Sequence, residues 1–498
     1  MSEYATERER DVFAAAEEQF ARAREWVAGE GAARLEHADL EKAVGLLVRE
    51  LGRLLVQAHL QLREAREVRR PAVAGPDLVV RTRAEKGHGR GLATVFGEVT
   101  VARIAYRAPG ARNVHPADRE LNLPAGLHSH GLGEKLAVAA AGVSVAAACE
   151  EVFRETGVRI GTRQAGEIIG RAAADFGSFY ASRRPAARDG TGRGQVLVLQ
   201  ADGKGIRMRP DSLRRRAARQ AARSVPKQDG RLSRGEVRTR KRIAETGAVF
   251  EISQPAARTA AGILPGPGET GSAAGPPGVA RKWLTSSVAG TAAQVIAAVF
   301  AEADRRDPAR EMTWVALADG NNDQLRYIEA EAAARGIEVP VILDIIHVTE
   351  YLWDAAWCFF PADSPAAGAW VRQHARAILD GAAATVAAAI RAQATTTEGL
   401  PAHKRTTAGK TARYLDNKAP YLGYPAALAA GWPISTGIIE GACRHLVKDR
   451  MDITGARWST NGAEAILKLR AIRANDHWDD YWTWHLQQER ERNHPLAA

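Results

Sequence analysis

The sequence predicts an α/β core with a mixed sheet, preceded by a mainly helical region and interrupted by a helical stretch before its last helix. Three observations predict this. Apolar runs stop abruptly at Asp202, Asp319 and Asp344, and the ends of buried strands are where open sheets place polar site residues. Segments with apolar residues three and four apart alternate with those runs. From 351 to 430 the chain is Ala-rich and reads as helix throughout.

In chain order, residues 1–70 read as helices, with Pro71 as their stop. "LATVFGEVTVARIAYR" (92–107) reads as a β-hairpin around a Phe96-Gly97-Glu98 turn. The basic run before it (Arg81, Arg83, Lys86, His88, Arg90) is either a phosphate-contacting flank or a solvated loop. Residues 131–178 read as three helices, with Ser144 and Thr162 as N-caps and Gly157 as a C-terminal stop. The last two, with Arg163 and Gln164 opening the final one, form either a DNA-reading helix-turn-helix or a structural bundle. "QVLVLQADGKGIRMRP" reads as a strand ending at Asp202, a turn and a second strand, and "ETGAVFEIS" as another strand. The Gly/Pro-rich stretch 255–280 reads as a loop. Helix "TAAQVIAAVFAEADRR", strand "MTWVALADG", helix "NDQLRYIEAEAAARG" and strand "VPVILDIIHV" follow. After "GWPISTG" begins a helix carrying Glu440. The implied segments are a helical 1–70, a DNA-binding 71–185, a core from 190 to 350, a helical insertion 351–430, and the last part of the core with a C-terminal tail in 431–498.

The chain has 498 residues and a formal charge of +11, which favours an acidic polymer as partner over an acidic small molecule. The charge is concentrated. From 212 to 242, Arg214, Arg215, Arg216, Arg219, Arg223, Lys227, Arg231, Arg234, Arg238, Arg240, Lys241 and Arg242 face only Asp229 and Glu236. Such a block repels itself unless something anionic lies against it; the alternative is a basic insertion with no fixed role. Cys149, Cys358 and Cys443 are widely spaced, which argues against structural zinc and a disulfide framework. No apolar run reaches the ~18 residues of a membrane span, and the N-terminus has no apolar signal core. A cytoplasmic, nucleoid-associated protein is expected.

The order of elements fits a ribonuclease-H-like fold, in which the first and fourth strands are neighbours. Asp202 and Asp319 then face each other across one strand spacing, and Glu440 completes the cluster from a helix packed on the sheet. Adjacent aspartates repel as bare ions. Mg²⁺, hard and oxygen-liganded, is the natural cation between them, and two such ions can run an in-line phosphoryl displacement. On an α-helix Arg444 and Lys448 share Glu440's half of the cylinder, where they would hold the scissile phosphodiester.

These residues resemble the bacterial insertion-sequence DDE transposases of the Kra group, distant relatives of the Mutator-like transposases. The resemblance rests on "GEVTVARIAYR", "QADGKG", "TRKRIAETGAVFEIS", "ALADGNN", "ILDIIHVTEYLW" and "PISTGIIEGACRHLVKDRMDITGARWSTNGAEAILKLRA", in family order from about 90 to 475. "PISTG" departs from the "GSG" expected before the glutamate, and the 212–242 insertion is longer than usual. The resemblance implies that Asp202, Asp319 and Glu440 form a metal triad holding two Mg²⁺ (or Mn²⁺) ions. It implies that Asp344 and His347 match the acid-x-x-His signature beside the site, and that the helical insertion explains the long gap between Asp319 and Glu440. The implied activity is cleavage of transposon ends and their joining to target DNA, by a homo-oligomer on double-stranded DNA with no membrane role. The side chains expected against DNA are Arg163, Gln164, Arg214, Arg215, Arg216, Arg240, Lys241, Arg242, Arg450, Arg457 and Trp458. Trp458 is either a base-stacking residue or a core anchor. The rival readings are a ribonuclease-H-like structure-specific nuclease and a non-catalytic domesticated DNA-binding protein.

Overall fold

The computed structural model describes residues 12–183, 195–215, 217–219, 241–266, 277–453 and 455–495. The chain divides into two units: Met1–Ser182 with His477–Ala498, and Arg183–Asp476. The C-terminal helix Trp478–Asn493, in the stretch read as a C-terminal tail, groups with the N-terminal unit. Most of the basic block (216 and 220–240) lies outside the described residues. No helix among the described residues is long and apolar enough to cross a membrane.

In the first unit, α1 (Ala14–Ala28) and α2 (His37–Arg66) precede a pair of two-residue strands (Val73–Ala74 and Val80–Arg81) and then β1 (Arg83–Glu85), β2 (Arg90–Thr94), β3 (Gly97–Val101) and β4 (Ala105–Arg107). The expected hairpin is shorter than 92–107. It is β2–β3, closed by Val95–Phe96, while β4 pairs with β1. Leu60 of α2 packs with Leu92, Val99, Val101 and Leu123 in a small apolar core. Then come α3 (His130–Gly142), α4 (Val145–Thr156), α5 (Thr162–Ala172) and α6 (Phe176–Ser182). Ser144 caps α4 by accepting the Ala147 N–H at 3.1 Å, and Gly157 ends it at φ +73°, a conformation that favours glycine. Gly161, not Thr162, is the N-cap of α5, with no side-chain cap bond. The C-terminal helix is pinned in this unit by the Tyr481 hydroxyl donating to the Ala172 carbonyl at 2.6 Å, and by His485 against Asp175 at 2.7 Å.

The second unit is built on a five-stranded mixed sheet. Its strands are β5 (Val196–Arg207), β6 (Lys241–Ile252), β7 (Ala280–Ser287), β8 (Thr313–Ala318) and β9 (Val341–Leu343), in the spatial order β9-β8-β5-β6-β7. β5, β8 and β9 run parallel; β6 and β7 are antiparallel additions on the other side of β5. β5 is one continuous strand through Asp202, where a strand, turn and second strand were expected, and β7 occupies residues assigned no strand.

Helices α7 (Ala292–Arg306) and α8 (Asn322–Ala334) make the crossovers to β8 and β9. α7 is held by a capping box between Thr291 and Gln294. It packs so closely that a Cβ on Gly247 of β6 would lie 2.5 Å from Val299 Cγ2. Gly247→Val should therefore lower stability by about 2–3 kcal/mol, read as a fall in urea midpoint; an unchanged midpoint would mean α7 is not seated on β6.

Beyond β9 the chain is helical: α9 (Ile345–Phe359), α10 (Pro365–Leu379), α11 (Ala383–Thr396), α12 (Ala402–Lys418) and α13 (Tyr424–Ala429). "DIIHV" is thus not strand but the start of α9, with Asp344 as its N-cap. α14 (Gly437–Ala442) carries Glu440 and runs into a π-helical segment, Cys443–Lys448. α15 (Thr460–Ala474) then packs beside β7, where Asn475 exchanges two hydrogen bonds with the Leu284 backbone.

Candidate metal centre

Asp319 and Asp344 follow the last residues of β8 and β9, and Asp202 lies within β5, two residues past the end of its pairing with β8. β5 pairs with β8 as Gln200↔Leu317, and β8 with β9 as Ala318↔Leu343. Continued by one or two residues, these registers set Asp319 beside Asp202 and Asp344 beside Asp319. Neighbouring strands lie ~4.8 Å apart, so the three residues form a row across the carboxyl-terminal edge of β8 and β9.

The helix with Glu440 is fastened along this row. The Ile439 N–H donates to Gln200 Oε1 at 2.9 Å, and the Cys443 thiol donates to Asp202 Oδ2 at 3.4 Å. Burial first, and then the charge of Asp202, push that thiol up to about 12, so it stays a donor. At the other end, the Thr436 N–H (3.2 Å) and its hydroxyl both donate to Asp344 Oδ2, and the same hydroxyl lies 3.2 Å from Glu440 Oε1. Asp344 Oδ1 accepts the Ile346 N–H at 2.8 Å. Asp344 is fully buried, with both oxygens engaged in joining the start of α9 to the start of α14. Asp202 and Asp319 are half-buried and Glu440 is exposed. Asp319 Oδ1 accepts the Asn321 N–H at 2.8 Å, and Asp202 Oδ1 the Gly203 N–H at 2.6 Å.

Among the described residues, one group of three metal-ligating side chains brings its ligand atoms within 4.8 Å of one another: Asp344, His347 and Glu440. Asp202 and Asp319 stand outside it. His347 Nδ1 lies 3.0 Å from Glu350 Oε2. Burial works to lower the His347 pKa, yet the bond to Glu350 and the charges of Asp344, Glu350 and Asp319 outweigh it and raise the ring above its ordinary value. Among the described residues no lysine or arginine forms an ion pair with Asp202, Asp319, Asp344 or Glu440.

The cationic residues distribute unevenly. Arg444 and Lys448 are exposed on the π-helical segment, whose wider turn removes the α-helical spacing that was to align them with Glu440. Arg444 instead lies 3.9 Å from Asp449. Arg450, expected against DNA, is 2% exposed, with its guanidinium 4.8 Å from the Trp458 ring centroid. Burial, and secondarily Arg470, push its pKa down to about 10. Trp458 is an anchor: its Nε1 donates to the Met451 carbonyl at 3.0 Å, and its backbone bonds Arg207 and Arg209 beyond β5. Arg163, Gln164, Arg214, Arg215, Lys241 and Arg457 are exposed. Arg242 is half-buried and donates to the Ala289 carbonyl at 3.1 Å. Arg216 and Arg240 lie outside the described residues.

Gln200, Thr436 and Cys443 carry no sequence signal of a site role, since each acts through a partner remote in the chain. Glu245 was also unforeseen. It pairs with Gly203 across β5–β6, and burial chiefly, with Asp202 adding, raises its pKa.

No protein-family model matches the chain, and no curated protein matches it in sequence.

Proposed function

We propose that this chain is a metal-dependent DNA strand-transfer enzyme of the DDE transposase kind, with a ribonuclease-H-like core and Asp202, Asp319 and Glu440 as its metal triad. The observation that carries the reading is the row of aspartates on neighbouring parallel strands, Asp202 within β5 and Asp319 and Asp344 just past β8 and β9, with the helix of Glu440 fastened along it. The neighbouring first and fourth strands, β5 and β8, support the ribonuclease-H-like reading.

The residues fit a hard cation. Carboxylates one strand spacing apart repel as bare ions, and no lysine or arginine among the described residues forms an ion pair with them. Asp202, Asp319 and Glu440 offer oxygen donors alone, as Mg²⁺ prefers. The group Asp344, His347 and Glu440 includes an imidazole, which suits softer metals, and both oxygens of Asp344 already accept protein hydrogen bonds. Asp344 is therefore read as holding Glu440's helix in place, with His347 beside the site.

When bound, the cation neutralises the phosphate and activates the attacking oxygen. The protein's own task is alignment. Asp202 and Asp319 fix the reaction to one edge of a rigid sheet, while Arg444 and Lys448, exposed just beyond Glu440, are within the same segment to meet the DNA backbone. A water oxygen bonds to phosphorus as the P–O3′ bond breaks; the water gives up a proton to solvent, the leaving O3′ takes one from solvent, and a 5′-phosphate and a 3′-hydroxyl result. That hydroxyl then attacks a target phosphodiester in the same way, conserving the number of P–O bonds. Exposed Arg163 and Gln164 at the start of α5 are assigned to duplex DNA, in keeping with a helix-turn-helix of α4 and α5, and the acting species is a homo-oligomer on DNA.

The test is a supercoiled plasmid carrying the chain's own gene and its native flanks. Purified protein with Mg²⁺ should nick or linearise it at the element's ends, and chelation should stop the reaction. An uncut plasmid would contradict the proposal.

A further inference from the structure

The helical stretch between β9 and α14 carries no residue yet assigned to chemistry, but α12 within it reaches the Asp319 turn. Tyr414 and Lys418 are one helical turn apart and so share a face. Lys418 is 6% exposed and donates to Asn322 Oδ1 at 2.5 Å. Gly320, at φ +94°, sits so near Tyr414 that an added Cβ would lie 3.0 Å from the phenol oxygen. The Tyr414 ring is fixed by stacking on Tyr351 of α9, with centroids 3.8 Å apart and planes inclined by 14°. Thr411 of α12 reinforces that seam by donating to the Tyr351 carbonyl at 3.0 Å.

The Tyr414 hydroxyl is buried and has no hydrogen-bond partner among the described residues. A buried phenol ordinarily finds a partner, and leaving one unmatched is unfavourable unless something else gains. Its surroundings are acceptors: Asp319 follows β8 immediately before Gly320, and Asp344 is next in the row. A neutral donor held rigidly beside a carboxylate row is suited to an anionic oxygen that arrives with a ligand.

We propose that Tyr414 is a catalytic residue whose hydroxyl donates to a non-bridging oxygen of the phosphodiester, and that Lys418 is a positioning residue that holds the Asp319–Asn322 turn. The proposal rests on the DNA-cutting reading. It gives the helical insertion a chemical role: α12 supplies an uncharged donor that, unlike the Thr436 hydroxyl and the Cys443 thiol, is not already given to a carboxylate.

Tyr414→Phe keeps the ring and its stack and removes only the hydroxyl. With the same plasmid and Mg²⁺, it should cut on the order of tenfold to a hundredfold more slowly in single turnover. Its DNA affinity should be unchanged and its melting temperature unchanged or higher, because no protein partner is lost. If wild type cuts, Asp319→Ala is silent and Tyr414→Phe cuts at the wild-type rate, this inference falls while the underlying reading stands. A rate loss that tracks a fall in melting temperature assigns Tyr414 to structure and also overturns it. A wild type that does not cut overturns both.

Discussion

Asp202→Ala, Asp319→Ala and Glu440→Ala should each reduce Mg²⁺-dependent DNA cutting by roughly a thousandfold or more, with melting temperature unchanged or raised. The two effects have one cause. These carboxylates have no ion pair to a lysine or arginine among the described residues, so on the proposed reading removing one would relieve repulsion in the metal-free protein and take a ligand from the loaded one. Asp202 does accept from Gly203 and Cys443, but both bonds are at the half-buried edge of the sheet. Duplex binding should survive in all three variants, since its free energy comes from cationic side chains elsewhere. Single-turnover cutting, a gel-shift titration and a thermal melt check the three parts. Residual strand transfer in any one variant would break the triad assignment.

Asp344→Ala should behave in the opposite way. It strips a fully buried carboxylate from the Ile346 N–H, the Thr436 N–H and the Thr436 hydroxyl. Those donors have no water to turn to, and the N-cap of α9 is lost as well, for a combined cost of about 3 kcal/mol or more. Activity should fall too, because Thr436 no longer fixes the start of Glu440's helix. Asp344→Asn retains one acceptor oxygen and should recover part of both stability and activity. A urea titration followed by tryptophan fluorescence reads the first quantity. A stable Asp344→Ala protein with weakened metal binding would make Asp344 a ligand instead.

The contrast between these aspartates marks where the sequence was legible. Each stands out because it ends an apolar run; β8 and β9 do end just before Asp319 and Asp344, whereas β5 continues through Asp202 to Arg207. Asp344 was harder, because apolar residues flank it on both sides. "VILDIIHV" has no period to distinguish a buried strand from a buried helix start, and the tertiary fold resolves it as three strand residues, a cap and a helix. β7 was hidden for a different reason. It opens Ala280-Arg281-Lys282 and ends in Thr285, Ser286 and Ser287; buried Ser286 is satisfied by a hydrogen bond to Thr246 on the neighbouring strand at 3.0 Å. A strand whose inner face is satisfied by hydroxyls shows no alternation of apolar and polar residues. In β5, Gly203 and Gly205 look like a turn, yet they remain in the strand. Ile243 of β6 occupies the space where a Cβ on Gly203 would lie, 2.6 Å from its Cγ2.

At the candidate site, the acids stand out in the sequence and the residues that bond to them do not. The link from Gln200 to Ile439 spans 239 residues and that from Thr436 to Asp344 spans 92, distances over which no local pattern operates. The cationic residues after Glu440 illustrate the reverse error. Counting by α-helical turns presumes an α-helix, and Cys443–Lys448 is π-helical. Arg450 likewise looks like one more basic residue in a basic segment, but it is enclosed beneath Trp458 and contributes to packing.

The most direct measurement is where a metal binds. Crystals soaked in Mn²⁺, which takes the same oxygen ligands as Mg²⁺, give an anomalous peak that locates the ion without reference to activity. The account predicts a peak bound by carboxylate oxygens of Asp202 and Asp319, with Glu440 on the same ion or an adjacent one. A peak held by Asp344, His347 and Glu440, with none at Asp202 and Asp319, would contradict it.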